Sequence, residues 1–435
     1  MSSKLKNKKF VVTISYCDYT TGTGGTDKFI LSQQRLLNEH GISVLHICPD
    51  PDILRGRLHS DKIWVLVADG RYYKMTNTFG VIRYMKAFIE SGSELIGVIL
   101  HHLNNSSVRE LLKILKSTDA KVYMYLHDYY TVCPESGLTR NYREFCGISF
   151  PDEQKCRGCS CLKDTTVRRT AQISGLIKRI AHRTIFISPS QSVLENWTKA
   201  YPGMKSRTVV IPHQIPMGKY KENMAPIGES EPVRIAFVGY QAPHKGWEEW
   251  KEAVKRAHEA GCGYKFYQMG SCNENIGFVH KADIDFKKDI AAMTKALRAN
   301  RIDCAVLWSL VPETYSFTLY EAYSANCFIL TNDLSGNIAA TVKEKGNGIV
   351  SRERRGLSAL LLDEAGLRKR INSFREKKGY GPLYLKDNDE IVKILRDDEK
   401  QYYVHGNRGT WRDHLSYLFL KAYSLYTYFR RKSLK

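Results

Sequence analysis

F-V-V-T-I-S-Y-C-D-Y-T-T-G-T-G-G-T-D-K-F-I-L-S-Q-Q-R-L-L-N-E-H-G-I-S-V-L-H-I-C, residues 10 to 48, decides the fold. Phe10 to Ser15 is a short apolar run rich in valine and isoleucine. Residues 26 to 40 then place Phe29, Ile30, Leu36 and Leu37 at helical spacing, and Ile42 to Cys48 is strand-like again. That is a strand–helix–strand opening. Further apolar runs follow at Ile63 to Ala68, Leu95 to Leu100, Val122 to Leu126, Ile185 to Ile187 and Val209 to Ile211. Strands alternating with helices predict a parallel sheet covered on both faces. A polar stretch from Pro212 through Pro232 separates a second series: Val233 to Val238, a helix from Trp247 to Glu259, and strands at Tyr264 to Gln268, Cys304 to Trp308 and Cys327 to Thr331. The expected fold class is α/β, with two Rossmann-like doubly wound parallel-sheet domains, 1–215 and 216–385, facing across a cleft, and a helical tail over 386–435. Ligands of such sheets bind beyond the carboxyl ends of the strands, so the residues that follow each strand are the informative ones.

The bulk properties exclude several classes. A chain of 435 residues has room for two ordinary cores, and 43% hydrophobic with 26% charged residues is typical of a soluble globular protein. The opening apolar run is too short for a signal peptide, and no stretch reaches membrane-spanning length, so the chain is expected in the cytosol with its eleven cysteines reduced. Sixty-six basic against 45 acidic residues give +21, which calls for an anionic partner: nucleic acid, an acidic membrane or phosphate-bearing ligands. No zinc-finger, homeodomain or ribonucleoprotein pattern accompanies the charge, so no specific nucleic acid is expected.

Three passages carry chemistry. T-G-T-G-G-T at 21–26 follows the first strand and opens a helix, where backbone N–H groups face an anion. Its spacing departs from G-x-G-x-x-G, because Asp27 stands where the third glycine would, which disfavours a nicotinamide cofactor. In the second half, strand Val233 to Val238 runs into G-Y-Q-A-P-H-K-G, placing Lys245 just before a helix where it can reach a phosphate. After strand Cys304 to Trp308 comes S-L-V-P-E-T-Y-S-F-T-L-Y-E-A at 309–322. Glu313 precedes a helix expected to start near Ser316 and can accept sugar hydroxyls; Glu321 lies inside that helix and can accept ribose hydroxyls. The helix start, Ser316, Phe317 and Thr318, faces a diphosphate.

Together these passages resemble retaining glycosyltransferase family 4, of GT-B fold and of the kind used in bacterial surface polysaccharide synthesis, over most of residues 10 to 380. S-L-V-P-E-T-Y-S-F-T-L-Y-E-A matches the family's two-glutamate signature and A-P-H-K-G its phosphate-lysine loop. T-G-T-G-G-T is similar to its glycine loop, and I-S-P-S-Q-S-V-L-E-N-W at 187–197 to the passage closing its first domain. The resemblance implies that Lys245 binds the donor diphosphate, Glu313 the transferred sugar and Glu321 the ribose. It also implies that Gly24 and Gly25 approach the phosphates and that His127, in Y-L-H-D-Y-Y, lies near the donor sugar. The implied activity is transfer from a nucleotide sugar to a glycan or polyprenyl-linked acceptor with retention, no cofactor being required. Two positions depart: Tyr240 replaces the usual arginine, removing a diphosphate cation, and Ser316 replaces the usual glycine. A sugar epimerase or nucleotide-sugar hydrolase on the same fold is the rival reading, since fold alone does not settle chemistry; a basic nucleic-acid-binding protein is the other.

Two segments lie outside these motifs. Cys133, Cys146, Cys156, Cys159 and Cys161 crowd one segment, and the C-x-x-C at 156–159 suggests a structural zinc held by Cys133, Cys146, Cys156 and Cys159, with Cys161 as a substitute. In the tail, Trp411, Leu415, Leu418, Ala422, Leu425 and Phe429 form an apolar helical stripe beside basic residues. Such a helix either packs on the first domain or lies on an anionic membrane surface, which would make the chain peripheral at the inner face of the cell membrane.

Overall fold

The computed structural model describes residues 5–49, 63–141, 144–147, 150–152, 154–219, 224–353, 355–376, 381–398, 400–406 and 409–421. An eight-stranded sheet runs in the order Thr208–Val210, Thr184–Ser188, Val122–Tyr125, Glu94–Leu100, Lys9–Ile14, Ile42–Pro49, Ile63–Ala68, Arg71–Asn77. Successive side chains of a strand point to opposite faces, and both faces are filled here. Phe10, Val12, Ile14, Leu45 and Ile47 pack with Val81, Met85 and Phe88 of helix Thr78–Glu90 on one side. Val11, Ile42 and Val44 pack with Phe29, Leu36 and Leu37 of helix Gly25–Glu39 on the other. Burial of each such side chain contributes about 1.5–3 kcal/mol; Ile42–Pro49 is buried along its whole length, and its two polar residues, Ser43 and His46, are hydrogen-bonded to Asp69 and Thr13.

The second sheet has six parallel strands in the order Val279–Ala282, Tyr264–Met269, Val233–Val238, Cys304–Val306, Phe328–Asn332, Gly348–Ser351. Val233, Ile235 and Phe237 face Trp247, Trp250 and Val254 of helix Trp247–Glu259. Ala236 and Val238 face Met293, Leu297 and Leu319 on the other side.

The first sheet differs from the expected all-parallel arrangement. Ile63–Ala68 runs antiparallel to Ile42–Pro49, and an edge strand Arg71–Asn77, absent from the sequence reading, runs antiparallel to it. Asp69 and Gly70 turn the hairpin with φ of +46° and +79°. An Asp-Gly pair between two runs is a strong hairpin signal, but the polar content of R-Y-Y-K-M-T-N hides the returning strand. The Pro212 to Pro232 stretch also holds a strand, Gln214–Met217, paired antiparallel with Tyr384–Asp387. Beyond that pairing the chain returns to the first sheet: Ile391, Val392 and Leu395 of helix Glu390–Asp397 pack beside Val11 and Ile99. Lys121 holds Asp398 at 2.5 Å, and Tyr402 bridges to Leu95.

Residues 411–421 form a helix with two different faces. Leu420 is buried beside Tyr19 and Val65, Tyr417 meets Phe79 and Tyr84, and Asp413 O accepts a bond from Asn77 Nδ2. Trp411, Leu415, Leu418 and Phe419 are 57–67% exposed. The remaining stripe positions, Ala422, Leu425 and Phe429, lie outside the described residues. Among the described residues no helix is long and apolar enough to cross a membrane.

Candidate active site

Each sheet has one point where the strand order reverses, and ligands of open α/β sheets collect there. In the first sheet it falls between Lys9–Ile14 and Glu94–Leu100; in the second it falls between Val233–Val238 and Cys304–Val306. The loops leaving Lys9–Ile14, Val233–Val238 and Cys304–Val306, with His127 beyond Val122–Tyr125, line one cleft of about 600 Å³. Gly24, Gly25, His127, Lys245, Glu313, Ser316, Phe317, Thr318 and Glu321 all border it. A volume of this order suits a ligand of several hundred daltons.

In the second half, Lys245 ends a short helical turn, Pro243–Lys245, and Gly246 follows at φ +80°. A Cβ on Gly246 would lie 2.2 Å from Trp308 O, so only glycine lets the lysine loop close against the end of the neighbouring strand. Leu310 N donates to His244 O at 2.8 Å, stitching that loop to the S-L-V-P-E segment. Glu313 is pinned from behind: its N–H donates to Ser335 O and its carbonyl accepts from Asn337 N. Gly336 approaches so closely that a Cβ there would sit 2.7 Å from Pro312 Cα.

Lys245 Nζ stands 2.6 Å from Glu313 Oε1, which also accepts from Ser309 Oγ at 2.9 Å. Burial pushes the Glu313 carboxyl up, but the Lys245 ammonium and the two hydrogen bonds outweigh it and hold Glu313 below the usual carboxylate range. Burial pushes Lys245 down, and Glu313 more than offsets it, leaving the lysine above its ordinary value. Both groups are charged at neutral pH. Tyr240, in the position of the expected arginine, bonds His244 Nε2 through its hydroxyl at 2.9 Å and offers its ring 5.6 Å from Lys245 Nζ.

Ser316 caps helix Phe317–Ser324 at φ +68°, ψ +90°. This is the departure from glycine seen in the sequence, and it places a Cβ in a conformation L-residues rarely adopt. The first turn of the helix opens on the cleft, and Glu321, one turn further in, is 4% exposed.

From the first half come the glycine loop and His127. Asp27 gathers the loop: its carboxylate accepts from Gly24 N at 2.9 Å, Tyr16 Oη at 3.1 Å and Cys17 Sγ at 3.3 Å. His127 Nε2 lies 3.1 Å from His101 Nδ1, and its carbonyl accepts from Thr314 Oγ1 at 2.5 Å, a bond between the halves. Burial holds His127 at about 3, so its imidazole is neutral and suited to hydrogen bonding with uncharged hydroxyls.

Several residues at the cleft or directly behind it were not singled out by the sequence reading. Ser309 orients Glu313, Asp27 organises the glycine loop, and Lys28 reaches across the cleft to Glu321 at 2.6 Å. His213 sits between the rings of Phe29 and Tyr315. Asp27 stood in the sequence only as the residue that breaks a cofactor motif, although an acidic residue three places after Gly24 is a capping signal. Lys28 carried no signal, since its partner is 293 residues away.

None of the five clustered cysteines borders the cleft. Among the described residues no group of three or more His, Cys, Asp or Glu stands in position to hold a metal ion, and these five cysteines are free thiols. Cys146 Sγ donates to Leu138 O at 3.2 Å, and Cys156 Sγ accepts from Asp152 N at 3.4 Å. Burial raises the Cys133 and Cys146 thiols, with neighbouring cysteines adding to it.

No protein-family model matches the sequence, and no curated protein matches it. Solved structures do. The chain is similar to sucrose-phosphate synthase from Thermosynechococcus elongatus at 14% identity, TM-score 0.50, covering 89% of this chain and 97% of that one. It is also similar to the pneumococcal O-GlcNAc transferase GtfA, solved with UDP and GlcNAc, at 10% identity, TM-score 0.53, covering 90% of this chain and 99% of that one. The fold is GT-B.

Proposed function

We propose that the chain is a glycosyltransferase that takes a sugar from a nucleotide-sugar donor bound in the cleft and transfers it, with retention of anomeric configuration, to a glycan or lipid-linked acceptor. The observation that carries this reading is the charged Lys245–Glu313 pair at the switch point of the second sheet. It faces the glycine loop and a neutral His127 across one cleft. The GT-B fold supports it, as does the complex of the O-GlcNAc transferase with UDP and GlcNAc.

The chemistry follows from charge. Breaking the bond between the anomeric carbon and the donor phosphate leaves negative charge on the departing diphosphate. Lys245 and the N–H groups opening helix Phe317–Ser324 are preorganised to receive it. Glu313, fixed by Ser309 and Lys245, accepts hydroxyls of the transferred sugar, and Glu321 accepts those of the ribose. The acceptor hydroxyl attacks from the face the diphosphate leaves, and its proton passes to the departing phosphate oxygen. No protein carboxylate then needs to act as nucleophile, in contrast with a retaining hydrolase.

The acceptor class we favour is lipid-linked and presented by an anionic membrane. The support is the exposed face Trp411, Leu415 and Leu418 of a helix whose other face is tied to the first half, on a chain of net charge +21. The enzyme reading is tested by incubating the protein with UDP-, GDP- and ADP-sugars, with and without acceptor lipid, and analysing products by mass and anomeric NMR. Sugar appearing on the acceptor with retained configuration is the expected result; turnover that never needs an acceptor overturns it.

A further inference from the structure

Lys28 and Glu321 belong to different sheets' helices. Lys28 lies in the first turn of Gly25–Glu39, directly after the glycine loop, and Glu321 in the second turn of Phe317–Ser324. Their ion pair, Nζ to Oε1 at 2.6 Å, spans the cleft with side chains only 8% and 5% exposed. The ammonium also stands 5.0 Å from the ring centre of Phe317 and 5.9 Å from that of Phe286. A second tie between the halves runs beside it, from Lys287 Nζ to Thr21 O at 2.7 Å.

A buried ion pair gives up so much hydration that it adds little net stability; what it supplies is register, since removing one partner leaves the other charge buried and uncompensated. Here the register concerns a carboxylate bordering the donor cleft. Two oxygens offer about four acceptor positions. With Lys28 on Oε1, Glu321 is held in one rotamer, and its remaining acceptor positions are available to a vicinal diol. Without the ammonium the carboxylate loses the contact that fixes its rotamer, and its acceptors are no longer aimed into the cleft.

We infer that Lys28 is a positioning residue for ribose recognition: it crosses from the first half to hold the Glu321 carboxylate in one orientation, so that the nucleoside of the donor is gripped only when the two halves are closed. The inference rests on the donor-site reading above and assigns the first half a part in nucleoside recognition. Lys28 acts through Glu321, on the binding of the diol and not on bond cleavage.

The test is calorimetric binding of UDP, GDP and ADP, and of their 2′,3′-dideoxy forms, to the full chain and to K28M, K28R and E321Q. For the base the protein accepts, the wild type is expected to favour the ribose form about tenfold or more, the scale of a hydrogen bond to a charged group. K28M is expected to lose that preference to the level of E321Q while binding the dideoxy form within about twofold of wild type, and K28R to recover part of it. If K28M keeps the wild-type preference, or weakens both forms equally, the inference is overturned. If the wild type binds none of the three diphosphates, the donor-site reading itself fails. Should K28M not fold, K28M/E321Q leaves neither charge buried alone and is compared with E321Q: equal discrimination supports the inference, and a further loss refutes it.

Discussion

At the residue scale the site is a set of charges and dihedral angles with measurable consequences. Lys245→Ala leaves Glu313 without its cation and removes the charge that the proposed function directs at the departing diphosphate. Loss of one such preorganised group costs about 10²–10³ in turnover. We therefore expect at least a hundredfold fall in transfer with the circular dichroism spectrum unchanged; transfer at the normal rate would displace the diphosphate from this position. Ser316 makes the opposite kind of prediction. Its φ of +68° is a conformation that costs a non-glycine residue about 1–3 kcal/mol. Ser316→Gly relieves that strain and gives back some of it as unfolded-state entropy, about 0.5–1 kcal/mol. The net expectation is a gain of about 1 kcal/mol in urea unfolding at an unchanged m-value. An unchanged or lowered midpoint would mean that the Ser316 hydroxyl, 3.1 Å from Thr318 Oγ1, contributes more than its backbone costs.

At the element scale, what could be read in the sequence is what is written locally. Phe29, Ile30, Leu36 and Leu37 gave the first helix because 3.6-residue spacing puts them on one face, and all four are buried. Glu313 and Glu321 could be placed because strand, loop and helix start follow one another within twenty residues. The edge strand Arg71–Asn77 escaped because its inner and outer residues are both partly polar. The Gln214–Met217 pairing escaped because its partner lies about 170 residues further on. Lys28 was out of reach for the same reason. The tail helix shows how one stripe can be half read: periodicity located its apolar face, but not that Tyr417 and Leu420 would do the packing while Trp411, Leu415 and Leu418 face outward. Replacing those three outward residues by serine removes apolar surface without touching the packed face. The full chain is expected to sediment with phosphatidylglycerol vesicles at low salt and to be released as salt rises. The triple variant is expected to lose most of that binding with its melting temperature unchanged. Equal sedimentation of both forms would assign the attraction to the +21 charge alone.

At the scale of the whole molecule, the first half encloses four neutral histidines, His46, His101, His127 and His213. Burial holds His46 at about 4 and His127 at about 3, and holds His101 and His213 well below the ordinary histidine value. His101 and His127 stack on Tyr125 and on each other, His213 meets Phe29 at a tilt, and His127 and His213 border the cleft, so these three rings form a layer beneath it, while His46 pairs with Tyr19 within the first half. The sign of the linkage is fixed by these directions. Below about pH 6.5 the unfolded chain binds protons that the folded chain refuses, so stability is full above that pH and falls as the pH drops toward the folded-state values. At about 1.4 kcal/mol per pH unit for each group, descending from pH 6.5 to 5 costs up to about 2 kcal/mol per histidine. Glu313, Asp128 and Asp398, whose folded-state values are lowered, lose their contribution only below the ordinary carboxylate range. Asp303, whose carboxyl burial raises, acts in the opposite sense, because the folded chain takes up its proton at a higher pH than the unfolded chain does; the fall in stability across the window from pH 6.5 to 5 is therefore the work of the histidines. Unfolding free energy measured by urea titration is expected to fall by several kcal/mol across it, and His213→Phe, which keeps a ring between Phe29 and Tyr315, is expected to flatten the slope by nearly one proton. A flat profile in the wild type would mean that the layer opens and takes up protons without unfolding, in which case the floor of the cleft is not sealed from water as its packing requires.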